Sequence, residues 1–345
     1  MSNQPHPATP AVDKQALYQA TATYQQADLG KALWQLVNTF VPYAALWVAM
    51  IRTMQLGLPY GLTLALAVVA AGLLVRIFIF FHDCGHGSFF SSPRANTILG
   101  YVTGILTFTP YHDWRRSHAT HHATAGNLDR RGVGDVLTMT VDEYLAASRW
   151  QRLGYRLFRN PLVMFGLGPA YMFLLSQRFA HKPARRQERL SVIITNLALL
   201  AIVLLASLTI GLGTYLAIQL PVLLIAGTVG LWLFYVQHQY QDVYWARDDT
   251  WDPVQSALEG SSYYKLPRSL QWITGNIGLH HIHHLRPRIP NYALQACYDA
   301  IPAMQVVRPL TFLESLKSLG MNLWDEGQQK MVSFRALPTR PATPA

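Results

Sequence analysis

Residues 60–86 read YGLTLALAVVAAGLLVRIFIFFHDCGH. From Tyr60 to about Phe81 the run is apolar apart from Arg76, close to the ~20 residues a helix needs to cross the hydrocarbon core of a bilayer. It then gives way at once to His82-Asp83-Cys84-Gly85-His86. If the helix continues past the apolar run, His82 and His86 share one face. Arg76, near the end of the run, is expected to snorkel to the interface.

Three more apolar stretches are of spanning length: about Leu33 to Ile51, about Val192 to Ile210 and about Tyr215 to Val236. Only Gly211-Leu212-Gly213-Thr214 separates the last two, which predicts a tight helical hairpin. Two other stretches, Ile98 to Tyr111 and Leu162 to Leu175, read as interfacial or re-entrant. The first is short for a span, and the second is interrupted by Gly166, Gly168 and Pro169. A basic segment around them (Arg149, Arg152, Arg156, Arg159, Arg178, Lys182, Arg185, Arg186 and Arg189) favours the cytoplasm. With four spans, 82–190 and everything after Gln237 fall on that one side. The predicted fold is an all-α integral membrane protein of two transmembrane hairpins and a helical cytoplasmic cap. Its parts are a polar N-terminal segment (1–28), a membrane domain (29–336) and a disordered tail (337–345). The expected location is the cell (inner) membrane, with both termini and the cap cytoplasmic.

Composition agrees. Half of the chain (51%) is hydrophobic and only 13% is charged, against about 25% charged in soluble domains. The net charge of +10 does not point to nucleic acid, because the basic residues flank apolar runs. Cys84 and Cys297 form no disulfide framework and no CxxC pair, which fits a reducing compartment. The first residues lack the basic start and short apolar core of a cleaved signal.

Most of the thirteen histidines lie in three clusters: His82-Asp83-Cys84-Gly85-His86, His118-Ala119-Thr120-His121-His122 and His280-His281-Ile282-His283-His284. His118, His121 and His122 are spaced i, i+3, i+4, as are His280, His283 and His284, so each set shares a helix face. One such motif alone is often an exposed polar pair. The topology strengthens the case: an even number of spans separates the boxes, so all three can converge. His238 lies two residues past the fourth apolar run, at the same depth, and is a further candidate ligand. His6 falls in a tail, and His181 sits among Lys182, Arg185 and Arg186, facing water or headgroups. His112 and His281 are read as supporting residues around the ligands. Eight or nine imidazoles exceed what one ion uses, since zinc sites take three or four protein ligands. Two ions, each with an open position, fit better. Imidazole alone does not choose among iron, zinc, copper and nickel. Asp83, Asp113, Asp129, Asp135 and Glu259 are available to orient the rings.

At these residues the chain resembles the membrane fatty acid desaturase family, which is marked by HxxxH, HxxHH and HxxHH boxes in this order around two transmembrane hairpins. The flanking text is similar too: FFHDCGHGSFF, HATHHATAGNLDRRGVGD, RNPLVMFGLGP, EGSSYYKLP and GNIGLHHIHHLRPRIPNY. The last of these resembles the bacterial acyl-lipid desaturases, including the Δ5 type, more than the acyl-CoA type, and the family resemblance spans roughly Leu33 to Glu326. The resemblance implies two iron ions held by His82, His86, His118, His121, His122, His280, His283 and His284, with His238 matching a further ligand position. One turn before it, Phe234 stands where the acyl-CoA type has an asparagine, and Asn276 is a weak candidate to replace that group. The implied reaction uses O₂ and two electrons to remove hydrogens from neighbouring carbons of an acyl chain, leaving a cis double bond. The acyl chain would lie in a bent apolar tunnel, with Phe89, Phe90, Trp114, Trp232, Tyr235 and Trp272 as candidate walls.

No GxGxxG follows a strand pattern and no haem-binding domain is visible, so electrons are expected from a separate carrier. The resemblance suggests a ferredoxin or flavodoxin. Arg115, Arg116, Arg130 and Arg131 would suit an acidic partner or anionic headgroups. Two rival readings share these features. A di-iron hydroxylase or ketolase would begin with the same hydrogen removal. A non-enzymatic membrane metal-binding protein would need polar groups along its spans, and these spans are nearly free of them.

Overall fold

In lipid, a backbone N–H must find its partner within its own segment, so an unbroken apolar run folds as helix. The structure, a computed structural model, describes residues 13–337 and shows this for four segments. Leu29–Gln55, Tyr60–His86, Arg186–Thr209 and Leu212–His238 are helices long and apolar enough to cross a membrane. Each matches one of the four expected spans, the third ending at Thr209, one residue before the expected Ile210. The second continues without a break through His82 to His86 and stops where Gly87 takes a φ of 68°.

This second span is the axis of the bundle. Ala67, Ala70 and Ala71 are buried and let neighbours approach closely. Around them pack Tyr43 and Met50 of the first span and Ile218, Val222 and Leu223 of the fourth. The third span, as little enclosed as the first, turns Leu197, Leu200, Leu204, Leu205 and Leu208 outward. Such a contiguous apolar face marks contact with lipid. The third and fourth spans form the expected hairpin. Gly211 makes the turn with a φ of 83° while its N–H bonds Ala206 O at 3.0 Å.

Arg76 departs from expectation. It does not snorkel outward but is buried in the bundle. Its Nε donates to Thr39 Oγ1 at 3.0 Å, Nη1 donates to the carbonyl of Trp272, and the guanidinium lies 4.2 Å over the Trp272 ring. The charge thus ties two spans to the cap.

The two shorter apolar stretches form short helices. Pro93–Leu106 packs beside the second span. Leu162–Leu175 takes wide π-type turns on either side of Gly168–Ala170, as expected where Pro169 removes an N–H from the ladder. The cap is mainly helical but carries small strands that the all-α reading missed. Met139–Thr140 pairs parallel with Leu323–Asp325, which pairs antiparallel with Lys330–Val332. Tyr263–Lys265 pairs parallel with Pro309–Thr311. Runs of two or three residues leave no alternation to read. Within the polar N-terminal segment, Lys14–Ala22 is a helix whose Leu17 is buried in the cap. His6 and the tail from Pro338 lie outside the described residues.

Candidate metal centre

The site is assembled where the second and fourth spans leave the apolar layer. The second span supplies His82 and His86 from its last turns. The helix Tyr111–Thr124 supplies His118, His121 and His122. His238 is the last residue of the fourth span, and the short helix His280–Leu285 supplies the third box. That short helix is seated by Gly278, where a Cβ would stand 2.3 Å from the carbonyl oxygen of Tyr264.

The nine candidate histidines fall into two groups. His82, His86, His118, His122 and His283 form one, and His121, His238, His280 and His284 form the other. Within each group the ligand atoms lie within 4.8 Å of one another. In the first, Nε2 of His118 is 3.0 Å from Nε2 of His86 and 3.1 Å from that of His122, which is 3.0 Å from that of His283. In the second, Nε2 of His238 is 3.1 Å from that of His121 and 3.0 Å from that of His280. The second box divides: His118 and His122 serve one group, and His121, between them, serves the other.

The surroundings fix the ring tautomers. His121 Nδ1 lies 2.5 Å from Asp135 Oδ1. His238 Nδ1 lies 3.0 Å from the carbonyl of Gly260, which only accepts, so this nitrogen donates. Nε2 of His121 and Nε2 of His238 then face each other at 3.1 Å, close enough for both to bind one metal ion. His82 Nδ1 is likewise 3.1 Å from Asp83 Oδ1. Burial, followed by the neighbouring imidazoles, holds His118, His122, His280, His283 and His284 well below the ordinary histidine range. These rings are neutral, the form that binds metals. His284 Nε2 is also buried, with no hydrogen-bond partner among the described residues. The donor set therefore fits two groups able to hold metal ions.

Of the five carboxylates considered, Asp83 and Asp135 meet ligand-candidate rings. Asp113 instead pairs with His181, Oδ2 to Nδ1 at 2.5 Å, and this raises the pKa of His181. His181 is therefore tied to the cap rather than simply facing water. Asp129 pairs with Arg247 at 2.6 Å, and the Glu259 carboxylate accepts from Gln255. His112 contacts Gln187 at 3.0 Å, away from both groups. His281 is buried, its Nε2 3.1 Å from the carbonyl of Met304, so it anchors the C-terminal segment rather than a ligand. Asn276 bonds the carbonyl of Asn291 at 3.3 Å and belongs to neither group. Phe234 lies beside the second group, its ring 5.2 Å from His121 and 5.4 Å from His238.

Of the aromatic wall candidates, Trp114 meets the site directly. It stacks on His118 at 4.3 Å, in a position that requires Gly85, whose added Cβ would come within 2.9 Å of its ring. Phe89 and Phe90 pack on each other, Trp232 stacks on Tyr235, and Trp272 holds Arg76.

One functional residue escaped sequence reasoning. Asn291 gives Asp83 Oδ2 two hydrogen bonds, from N at 2.7 Å and from Nδ2 at 2.9 Å. Its own Oδ1 accepts from Gln35 at 2.8 Å. A chain of contacts thus runs from the first span to His82. Asn291 lies in the quoted HHIHHLRPRIPNY text, but nothing local marks its target 208 residues away.

The basic face is largely neutralised. Arg116 pairs with Glu188 at 2.7 Å, Arg130 with Asp248 at 2.8 Å, and Arg131 with Glu143. Arg115 is exposed.

Residues 56–308 match the family described as fatty acid desaturase. A fatty acid desaturase of Bacillus subtilis is 49% identical over 97% of this chain and 95% of its own length. The sn-1 acyl-lipid omega-3 desaturase (ferredoxin) of Synechocystis is 30% identical over 68% of this chain and 66% of its own. An endoplasmic-reticulum omega-3 fatty acid desaturase of Vigna radiata is 31% identical over 63% and 59%. With its four apolar helices and paired histidine groups, the chain belongs to the fatty acid desaturase family and is an oxidoreductase of lipid metabolism.

Proposed function

We propose that the two histidine groups hold two iron ions and that the enzyme uses O₂ to place a cis double bond in the acyl chains of membrane lipids. The observation that carries this reading is the convergence of nine histidines into two groups whose ligand atoms lie within 4.8 Å of one another. His82, His86, His118, His122 and His283 would hold one ion, and His121, His238, His280 and His284 the other. When bound, the irons supply the oxidative removal of hydrogen from unactivated CH₂ groups, which no side chain can perform. The protein's part is positional. Asp83 and Asp135 fix the tautomers of His82 and His121, as carboxylates beside ligating histidines do. Trp114 and Phe234 place apolar aromatic rings against the two groups, surfaces that would help exclude water and seat a methylene.

Electrons would come from an external carrier, a ferredoxin or flavodoxin. The Synechocystis relative's name, which includes ferredoxin, supports the first. Three of the four arginines expected to receive it are paired within the chain, so they offer it little free charge. The functional unit would be 29–336 in the cell membrane, with the metal centre and both termini cytoplasmic. The basic residues beside the spans support that orientation.

The test is expression in a bacterial host beside His121→Ala. Fatty acids are profiled by gas chromatography–mass spectrometry with double-bond derivatisation. A new unsaturated acid in the wild type alone is expected and gives the bond position. A hydroxylated or keto product would overturn desaturation, and so would no product when an electron donor is supplied.

A further inference from the structure

The helix Arg149–Phe158 carries an apolar stripe that nothing among the described residues covers. Ser148 caps its start, its Oγ accepting from Gln151 N while the Gln151 side chain returns the bond. Trp150, Leu153, Leu157 and Phe158 follow helical spacing on one face, and all are exposed, Trp150 at 81%. The inward face is different. Tyr155 is buried, and its hydroxyl bonds the carbonyl of Asn322 at 2.5 Å. Arg159, just past the end, is also buried and donates to Gln239 at 2.9 Å and to the Tyr235 hydroxyl at 3.3 Å.

Those bonds fix the depth of the helix. Tyr235 is in the last turn of the fourth span, which ends at His238. The C-terminal end of Arg149–Phe158 is therefore pinned at the level where that span leaves the apolar layer. The stripe then runs on into Leu162, Leu167, Tyr171 and Leu175, all exposed. This segment is itself packed on the fourth span, where Thr228 bonds the carbonyl of Phe165 at 2.9 Å. The stripe is thus continuous with the lipid-facing belt.

Beside it lie Arg149, Arg152 and Arg156, one helical turn apart. Arg156 is engaged, its Nε donating to Tyr144 at 2.5 Å and its guanidinium 4.9 Å over the Phe334 ring. Arg149 is exposed and Arg152 half-buried, and no carboxylate among the described residues pairs with either. An exposed tryptophan and leucines flanked by unpaired arginines match an interfacial helix that buries its apolar face at the acyl boundary and meets phosphates with its cations.

We propose that Arg149–Phe158 lies in the membrane–water interface and docks on anionic phospholipid headgroups through Arg149 and Arg152. The proposal rests on the four long helices spanning the membrane. The full chain is placed in nanodiscs large enough for two copies, made of neutral phosphatidylcholine or of phosphatidylcholine with about 30% phosphatidylglycerol, a fraction chosen to set a strong surface potential. A nitroxide is attached at Trp150→Cys, with Leu205→Cys on the third span as reference. The native Cys84 and Cys297 are buried and escape labelling. Accessibility to lipid-soluble O₂ is compared with accessibility to a water-soluble nickel chelate.

The label at 150 is expected to sit in lipid in anionic discs. Adding R149Q and R152Q to the labelled chain, or using neutral discs, should shift the ratio toward water by about tenfold. A label at 150 that faces water in both lipids, while that at 205 faces lipid, overturns the proposal and leaves the spans standing. Equal lipid burial with and without the arginines overturns headgroup recognition. A label shielded from both reagents and broadened by a second spin means a second copy covers the stripe, which overturns it too. A water-facing label at 205 sinks the spanning reading and the proposal with it.

Discussion

At the scale of single residues, the site depends on groups that touch no metal-facing nitrogen. Asp83 takes two hydrogen bonds from Asn291 and holds His82, and Asp135 holds His121. Each acts on a different histidine group, so they can be separated by experiment. Removing a carboxylate beside a metal-ligating histidine typically weakens metal affinity by about 10–100-fold. Asp135→Asn is therefore expected to weaken metal binding at the four-histidine group and lower the metal bound per chain, and Asp83→Asn to do the same at the five-histidine group. Metal analysis of purified protein against protein concentration checks this, and unchanged stoichiometry in both variants would contradict the assignment. Asn291 shows why such residues stay hidden in a sequence. Its partners Asp83 and Gln35 lie 208 and 256 residues away, and no spacing rule joins them.

At the scale of elements, helices that look alike in composition serve different purposes. The second span is the central one, and its Arg76 bridges to Thr39 on the first span and to Trp272 in the cap. A guanidinium within the bundle with no carboxylate partner among the described residues depends on each neutral acceptor it has. Thr39→Val keeps the shape and removes the acceptor of Nε. It is expected to destabilise the fold by about 1–3 kcal/mol, the cost of leaving a buried donor unpaired. Unfolding in mixed micelles would measure this, and no change in midpoint would mean that another acceptor takes over. The boxes depend on elements in the same way. His82 and His86 were readable because their helix continues the apolar run. His280–Leu285 is only six residues long and is held by its surroundings, with Gly278 pressed against the backbone of Tyr264.

At the scale of the molecule, the fold gathers neutral imidazoles in one buried place, and this makes stability depend on pH. Burial lowers the pKa of His118, His122, His280, His283 and His284, and that of the non-ligand His281 to about 4. In the unfolded chain the same groups titrate near 6.5. Between the two values the unfolded state binds more protons, so stability rises with pH. The contribution is present above pH ~6.5 and is lost as pH falls below it. Metal-stripped protein is expected to lose thermal stability from about pH 6.5 downward. Metal-loaded protein should resist to lower pH, because bound ions compete with protons for the same nitrogens. Melting curves of both forms across pH would show the separation, and coincident curves would contradict it.

The sequence by itself determined the four long apolar helices, the hairpin at Gly211, the three boxes with His238, and the family. All of these rest on local rules: twenty apolar residues cross a bilayer, and residues three or four apart share a helix face. Tertiary structure decided what depends on distant contacts. It split the second box, sending His121 to one group and His118 and His122 to the other. It paired Asp113 with His181 rather than with a ligand candidate, turned His281 toward Met304, buried Arg76, and formed strands two or three residues long. A hydrogen bond or ion pair is chosen by the three-dimensional neighbours that compete for it, and sequence spacing carries no record of them.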